Sequence, residues 1–269
     1  MAYIKCLRNV ISSTIPEGST ATPTDVIQTL LACAGVTDKE YTTLAALLAD
    51  TTTLATVINS NNAIDYLVRS TTWAGDMCAD SSAMSYIGLN NYASNTLLSD
   101  STWKTAICQS AYKESVLNVK VPVMTSDNTP SGECFASSVY SSSYSAWKAF
   151  NKVIAADNEW CSQNGTTSNV SIGYKFTNAV KIYAVGIINQ LGSSPTNAPK
   201  NCKVQCSTDN QTYDDMSTFI NTMGASGTEN LFVLSDTALA DYWRLLCIDN
   251  YGDNYIIINE LQFYGRADV

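Results

Sequence analysis

The chain contains no histidine and few charged residues of either sign. Its 269 residues include 15 Lys and Arg against 24 Asp and Glu, which gives a net charge of −9. Without an imidazole, Ser-His-Asp triads, Cys-His dyads and HExxH zinc sites are excluded. The acidic balance also argues against a nucleic-acid partner, because binding a phosphate backbone requires cations that displace its counterions. Charged residues make up only 14% of the chain, so neutral side chains must cover the surface, which favours neutral ligands or protein neighbours.

Long hydrophobic runs are also missing. No stretch approaches the roughly 18 apolar residues of a membrane span, and the first twenty residues contain no apolar run of signal-peptide length. We therefore predict no membrane partner and folding in a reducing cytosol. The nine cysteines are scattered, and Cys202 and Cys206 fall on one face of a predicted strand. We expect free, buried thiols rather than disulfides or a zinc site.

Residues 1–40 are predicted to form an N-terminal cap that attaches the chain to other proteins. An irregular start and a loop with Pro16, Gly18 and Pro23 precede a short helix, VIQTLLACAG. Either Thr24 or Asp25 suits the N-cap of this helix, and Gly35 suits its end.

Residues 41–112 contain an internal repeat with a period of ten. The third position of each unit is Thr, Ala or Trp, the seventh is apolar, and the tenth is Asp, Ser or Asn. The units are YTTLAALLAD, TTTLATVINS, NNAIDYLVRS, TTWAGDMCAD, SSAMSYIGLN, NYASNTLLSD and STWKTAICQS. In a continuous α-helix, ten residues rotate the apolar stripe by about 80° from one unit to the next. Because the tenth position followed by Thr or Ser is N-cap chemistry, a short helix in each unit fits better than one rod.

Such short helices need partners for their apolar faces. They are too short to be stable alone, so they must stack on each other or on neighbouring chains. The style of repeat resembles the stalk repeats of bacteriophage tail- and head-fibre proteins. The need to cover these apolar faces laterally predicts a homo-oligomer, and we expect a trimer because fibres commonly are trimers.

The pattern changes after the repeats. Residues 113–130 lack a helical period and are predicted to be an extended linker. Residues 131–269 alternate short Val-, Ile-, Tyr- and Phe-rich runs with Gly, Asn, Asp and Pro clusters, which predicts an antiparallel β-sandwich or jelly roll. The predicted fold class is therefore an α + β multidomain chain, with a short-helix repeat stalk followed by this sandwich.

Segments of the last region resemble the discoidin family, also called coagulation factor 5/8 type C or galactose-binding-like domains. The resemblance covers Thr129 to Arg266. It is carried, in order, by TPSGECFASSVYSSSYSAWKAFN, NEWCS, SIGYKF with VKIYAVGI, APKNCKVQCSTDNQTYDDM, YWRLLCID and NELQFYG. It implies a β-sandwich with Trp147 and Trp160 packed in its interior.

The family often holds a structural calcium ion, and the resemblance implies where one would sit. The family's Asp in its A-F-D-G step is Asn151 here, whereas the closing Glu is kept as Glu260. Asn151, Asp157 and Glu260 with backbone carbonyls would be the ligands of one calcium ion. The alternative is that Glu260 and its neighbours simply hydrogen-bond the loop.

Binding loops follow from the same resemblance, since these domains bind ligands at one end of the sandwich. The corresponding segments are 139–145, 152–159, 189–197 and 250–254. Aromatic faces beside hydrogen-bonding groups suit a sugar. The predicted ligand-binding residues are Tyr140, Tyr144, Asp157, Gln190, Ser194, Asn197, Tyr251 and Asp253. Loop tyrosines can equally pack against the domain or contact another subunit. The few cations at these tips argue against phospholipid binding.

The sequence favours a binding protein over an enzyme, with no catalytic residues. The first hypothesis is a bacteriophage virion fibre or decoration protein, assembled in the host cytoplasm, whose C-terminal domain binds surface or mucin glycan. In this hypothesis residues 1–40 contact other virion proteins. The alternative is a purely structural virion component that uses the β-sandwich to dock on protein neighbours.

Overall fold

The computed structural model describes residues 22–192, 195–223 and 227–267, and the chain divides into two compact units between Val116 and Leu117. The first unit is helical in its described part, and the second is an antiparallel β-sandwich. This confirms the predicted fold class. None of the described helices combines the length and hydropathy that crossing a bilayer requires.

The first described helix, α1, spans Pro23–Cys33. It begins earlier than predicted, because Thr22 rather than Thr24 or Asp25 is its N-cap. The Thr22 hydroxyl accepts from the Asp25 N–H and the Asp25 carboxylate accepts from the Thr22 N–H, which is a capping box. Gly35 follows in a left-handed conformation with φ of 75°, as the helix end requires. Most of the predicted attachment cap, residues 1–21, lies outside the described residues.

Each decapeptide forms one short helix, as the repeat predicted. At five of the six junctions between units the tenth residue caps the next helix: Asp50, Ser60, Asp80, Asn90 and Asp100 accept from a backbone N–H of the helix that follows. Ser70 makes no such bond, and the unit after it opens with a 3-10 turn, Thr71–Trp73. The helices are α2 Leu44–Ala49, α3 Thr51–Ile58, α4 Asn61–Leu67, α5 Ala74–Ala79, α6 Ser81–Leu89, α7 Asn91–Ser99, α8 Ser101–Gln109 and α9 Lys113–Val116.

These helices wind into a solenoid with three helices in each turn. Most neighbours in the chain touch, and so do helices three apart: α1 with α4, α3 with α6, α4 with α7, α5 with α8, and α6 with α9. Capping residues also link successive turns. The Asn90 amide donates to the Ile58 carbonyl (2.9 Å), the Ser60 hydroxyl donates to the Cys33 carbonyl (3.1 Å), and the Ser110 hydroxyl donates to the Cys78 carbonyl.

The winding buries the repeat's apolar positions within a single chain. The third, fourth, seventh and eighth residues of α6, for example, are Ala83, Met84, Ile87 and Gly88, and all four are buried. Of the two ways to cover these faces, stacking on each other or on neighbouring chains, the described helices use the first. The apolar faces therefore do not demand the predicted homo-oligomer.

The predicted linker, residues 113–130, is not a spacer. Its first residues form α9, and the rest belong to the second unit. Val119 forms a β-bridge with Gly265 of the last strand, and the side chains of Val121 and Met124 are buried in the sandwich core. Val121 and Met124 show no helical period because they pack into the sandwich core and not along one face of a helix.

The second unit consists of antiparallel strands arranged in two layers. The strands are β1 Glu133–Ala136, β2 Trp160–Cys161, β3 Val170–Asn189, β4 Asn201–Ser207, β5 Asp214–Ile220, β6 Glu229–Val233, β7 Ala240–Cys247 and β8 Ile257–Arg266. One layer has the order β1-β3-β7-β4-β5, and the other has the order β2-β8-β3-β6.

The long strand β3 belongs to both layers. Its first part, to Lys175, pairs with β1 and β7, and its second part, from Lys181, pairs with β8 and β6. The exposed residues 177–179 mark the change of layer. Trp160 and Trp243 lie fully buried between the layers, and Trp147 packs at the edge of this core. The described cysteines are free and buried, as predicted, and Cys202 and Cys206 both point into the core.

Candidate functional site

Three loops meet at one end of the sandwich. They are the connection from β1 to β2, the connection from β3 to β4, and the connection from β7 to β8. The Gln190 amide donates to Glu159 Oε1 (3.0 Å), which joins the first two loops. The Thr196 hydroxyl donates to Asp253 Oδ2 (3.2 Å), and the Tyr251 N–H donates to the Thr196 carbonyl (3.0 Å), which joins the last two. The predicted binding segments therefore form one continuous surface.

Three tyrosines form an aromatic cluster on this surface. Tyr140 lies between Tyr144 and Tyr255, with ring centroids 5.7 Å and 5.6 Å apart and edge-to-face packing. Tyr140 remains 49% exposed. Burial raises the pKa of the Tyr144 hydroxyl, and the nearby carboxylates of Asp157 and Glu159 raise it further. The carboxylates and the aromatic faces therefore lie side by side.

Buried hydrogen-bond acceptors lie beneath the surface. Glu159 is 1% exposed, and no described residue hydrogen-bonds its Oε2 atom. Burial raises the pKa of this carboxyl. The Asn197 amide donates to Gln190 Oε1, and Asn197 Oδ1 is a second buried acceptor that no described residue satisfies. An unsatisfied buried polar group costs about 1–3 kcal/mol, and both oxygens are closed off from the surface, so a ligand on the loop surface does not reach them in this conformation.

Tyr251 is held more firmly than a free contact residue would be. Its hydroxyl donates to the Asn221 carbonyl (2.6 Å), and the Lys200 ammonium lies 5.4 Å from the centre of its ring. The Asn221 amide in turn donates to Asn189 Oδ1 (2.9 Å). Tyr251 therefore connects the loop after β7 to the loop before β4, through Lys200, and to the loop after β5, through Asn221.

The structure brings most of the predicted ligand-binding residues together. Tyr140, Tyr144 and Asp157 form one group, and Gln190, Asn197 and Asp253 form a second that reaches the first through Glu159. Ser194 lies outside the described residues. Two residues of this surface were not predicted: Tyr255 lies one residue beyond the 250–254 segment, and Glu159 ends the 152–159 segment. An aromatic residue directly before β8 was the available signal for Tyr255.

Two of the predicted calcium ligands, Asn151 and Glu260, are engaged by neighbouring protein groups. The Asn151 amide oxygen accepts from the Asn158 amide (3.0 Å) and from the Val153 N–H (2.9 Å). The Glu260 carboxylate contacts Lys152, whose ammonium lies 3.1 Å from Oε1. Asp157 is exposed on the side of the loop that faces Tyr144. No group of three or more acidic, Cys or His side chains among the described residues could hold a metal ion.

Comparisons with known proteins find similarity in solved structures alone. No family model matches the chain, and no curated protein matches it. Matching structures include CBM32-3 from a family 31 glycoside hydrolase of Clostridium perfringens, at 20% identity and a TM-score of 0.42, covering 49% of this chain and 88% of the other. The family 32 carbohydrate-binding module of NanJ from C. perfringens, solved with galactose, matches at 14% identity and a TM-score of 0.43, covering 54% and 98%. An F5/8 type C domain from Bacteroides fragilis matches at 12% identity and a TM-score of 0.44, covering 51% and 93%.

Proposed function

We propose that this chain is a non-catalytic carbohydrate-binding protein of a bacteriophage particle, a fibre or decoration protein whose sandwich binds cell-surface or mucin glycan. The observation that carries the proposal is the loop surface, where the half-exposed ring of Tyr140 packs with Tyr144 and Tyr255 among loops that also expose the polar side chains of Asp157 and Asp253. A pyranose offers complements to both, an apolar face for an aromatic ring and hydroxyls for polar side chains.

The acceptor chemistry favours a neutral, hydroxyl-rich ligand. Sugar hydroxyls can donate to the accessible side-chain oxygens of these loops, such as those of Asp157 and Asp253. An anionic ligand would instead meet the carboxylates of Asp157, Glu159 and Asp253 at this end of the sandwich. We therefore propose neutral sugars as ligands and expect weak binding at each site, which many copies on one particle strengthen through avidity.

The role in a virion is the finer part of the proposal and draws its support from the repeat. A short-helix array resembling fibre stalks, followed by a binding domain, suits a protein that presents its ligand site away from a particle. Residues 1–21, the expected contact with other virion proteins, lie outside the described residues. Light scattering on the purified full chain measures the oligomeric state, with the trimer of fibres as the expected result.

A glycan array tests the binding function directly. The full chain, multimerised on beads, should bind a subset of neutral bacterial or mucin glycans. Tyr140→Ala should weaken this binding by about tenfold, since loss of one stacked aromatic face costs about 1.5 kcal/mol. Tyr112→Ala is the matched control, because Tyr112 is similarly exposed (42% against 49%) but lies in the helical unit.

Two outcomes would overturn the proposal. The first is silence of the multimerised wild type across all glycans, and the second is equal loss of binding in both tyrosine variants. Silence combined with burial of the 139–145, 189–197 and 250–254 loops against protein in an assembled particle would instead favour the alternative, a structural component that docks through its sandwich.

A further inference from the structure

A buried carboxylate and a lysine hold the loop that carries part of the candidate site. Glu260 lies in β8 and is 4% exposed. Both of its oxygens are met by a single residue: the Lys152 N–H donates to Oε2 (3.0 Å), and the Lys152 ammonium lies 3.1 Å from Oε1. A buried carboxylate is costly unless it is paired in this way.

The backbone at Lys152 makes this double contact possible. Lys152 has a left-handed backbone conformation with φ of 60°, which residues other than glycine seldom adopt. On either side, Asn151 and Asn158 exchange two amide hydrogen bonds of 3.0 Å each. Asn259, the residue before Glu260 in β8, donates to the Ala155 carbonyl (2.9 Å) and the Asn158 carbonyl (3.2 Å). The loop is therefore anchored to β8 along most of its length.

We propose that the Lys152 ammonium takes the place of the calcium ion that the discoidin resemblance implies, so that the loop is held without any metal. Replacing the family's Asp by Asn151 removes one negative charge, and Lys152 supplies one positive charge. Glu260 and Lys152 then balance each other. A divalent cation in the same place would be repelled by the Lys152 ammonium and would have to share the Glu260 carboxylate with it. The Asn151 oxygen would be a poor ligand, because it already accepts two hydrogen bonds.

The consequence is a binding loop that does not depend on calcium. The anchored segment continues to Asp157 and Glu159 of the candidate site, so the lysine would keep these side chains in position. The inference concerns how the loop is held and stands whether or not the site binds a glycan.

Thermal unfolding of the full chain tests this inference with a matched pair of lysines. Lys152 and Lys203 have side chains of equal exposure, 34% and 33%, and each pairs with one carboxylate. The carboxylate of Glu260 is buried (6% exposed), whereas that of Asp215 is open (45%). We expect Lys152→Met to lower the Tm by about 5 °C or more, because it leaves a buried carboxylate unpaired. Lys203→Met should change the Tm by no more than about 2 °C.

Calcium supplies the second arm of the experiment. The wild-type Tm should be the same in millimolar calcium chloride and in EDTA. The double variant Asn151→Asp, Lys152→Met restores the missing carboxylate and removes the ammonium, so calcium should raise its Tm and EDTA should abolish the gain. The inference is overturned if calcium stabilises the wild type, if the two lysine variants lose equal stability, or if the double variant ignores calcium.

Discussion

The amide of Asn90 has two roles that can be removed separately, a cap through its oxygen and a link to residues 58 and 59 through its nitrogen, which gives a sharp test of the solenoid. Asn90 Oδ1 accepts from the Ala93 N–H (3.0 Å) and caps α7, and Nδ2 donates to the carbonyl of Ile58, the last residue of α3 in the preceding turn. Loss of an N-cap costs about 1 kcal/mol, and loss of a half-buried hydrogen bond costs about 1 kcal/mol more. We therefore expect Asn90→Ala to lower the free energy of unfolding by about 2 kcal/mol.

Asn90→Asp separates the two contributions. An aspartate keeps the capping oxygen but cannot donate, so this variant should lose only the link to residues 58 and 59, about 1 kcal/mol. Asp100→Ala is the matched control for the cap, because the Asp100 carboxylate accepts from Thr102 and Trp103 within its own helix. The measurement is urea unfolding followed by the helical circular dichroism signal. If Asn90→Asp matches the wild type, the amide does not link successive turns, and the reasoning fails.

Two further predictions concern the helical unit. The hydrogen bond from the Tyr41 hydroxyl is the largest cause that holds the pKa of Asp50 below its ordinary range. The stability that this carboxylate contributes is therefore present above its unfolded pKa of about 3.9 and is lost as the pH falls below that value. The wild-type Tm should therefore fall more between about pH 5 and pH 2 than that of Asp50→Asn, and parallel curves would contradict the assignment. A Cβ on Gly88 would lie 1.9 Å from the Ser115 carbonyl oxygen, whereas one on Gly75 would meet nothing within 4 Å. Gly88→Ala should thus cost about 1–3 kcal/mol of unfolding free energy and Gly75→Ala should cost none, and equal effects in denaturant titrations would show that α6 does not pack tightly on α9.

The repeat could be predicted from sequence because its signals are local. A capping residue such as Asp80 and the apolar residues of the helix that follows it lie within one decapeptide, so their spacing shows in the chain itself. The number of helices in each turn could not be predicted. It depends on contacts such as Asn90 with Ile58, which lie 32 residues apart, and the 80° drift of the apolar stripe is compatible with stacking on another chain.

The sandwich could also be predicted because its strands carry a local periodic signal. The prediction of a linker at residues 113–130 was wrong because the buried residues there carry no such signal. Strands such as β7 alternate inward residues like Trp243 and Leu245 with outward ones, which is a periodic signal. Val121 and Met124 pack without regular structure of their own, so no period marks their burial. Glu159 was likewise not predicted, because its bond with Gln190 joins loops that lie 31 residues apart and meet only in the folded chain.

The contact of each helix with its third neighbour has a consequence for how this protein can evolve. Removing one decapeptide would bring the next unit into the vacated position, and units share a pattern of capping and buried residues that suits the same neighbours. Insertions and deletions in multiples of ten residues should therefore preserve packing, whereas any other length would place polar positions inside. Gain or loss of whole decapeptides could thus lengthen or shorten the array without new core residues having to arise.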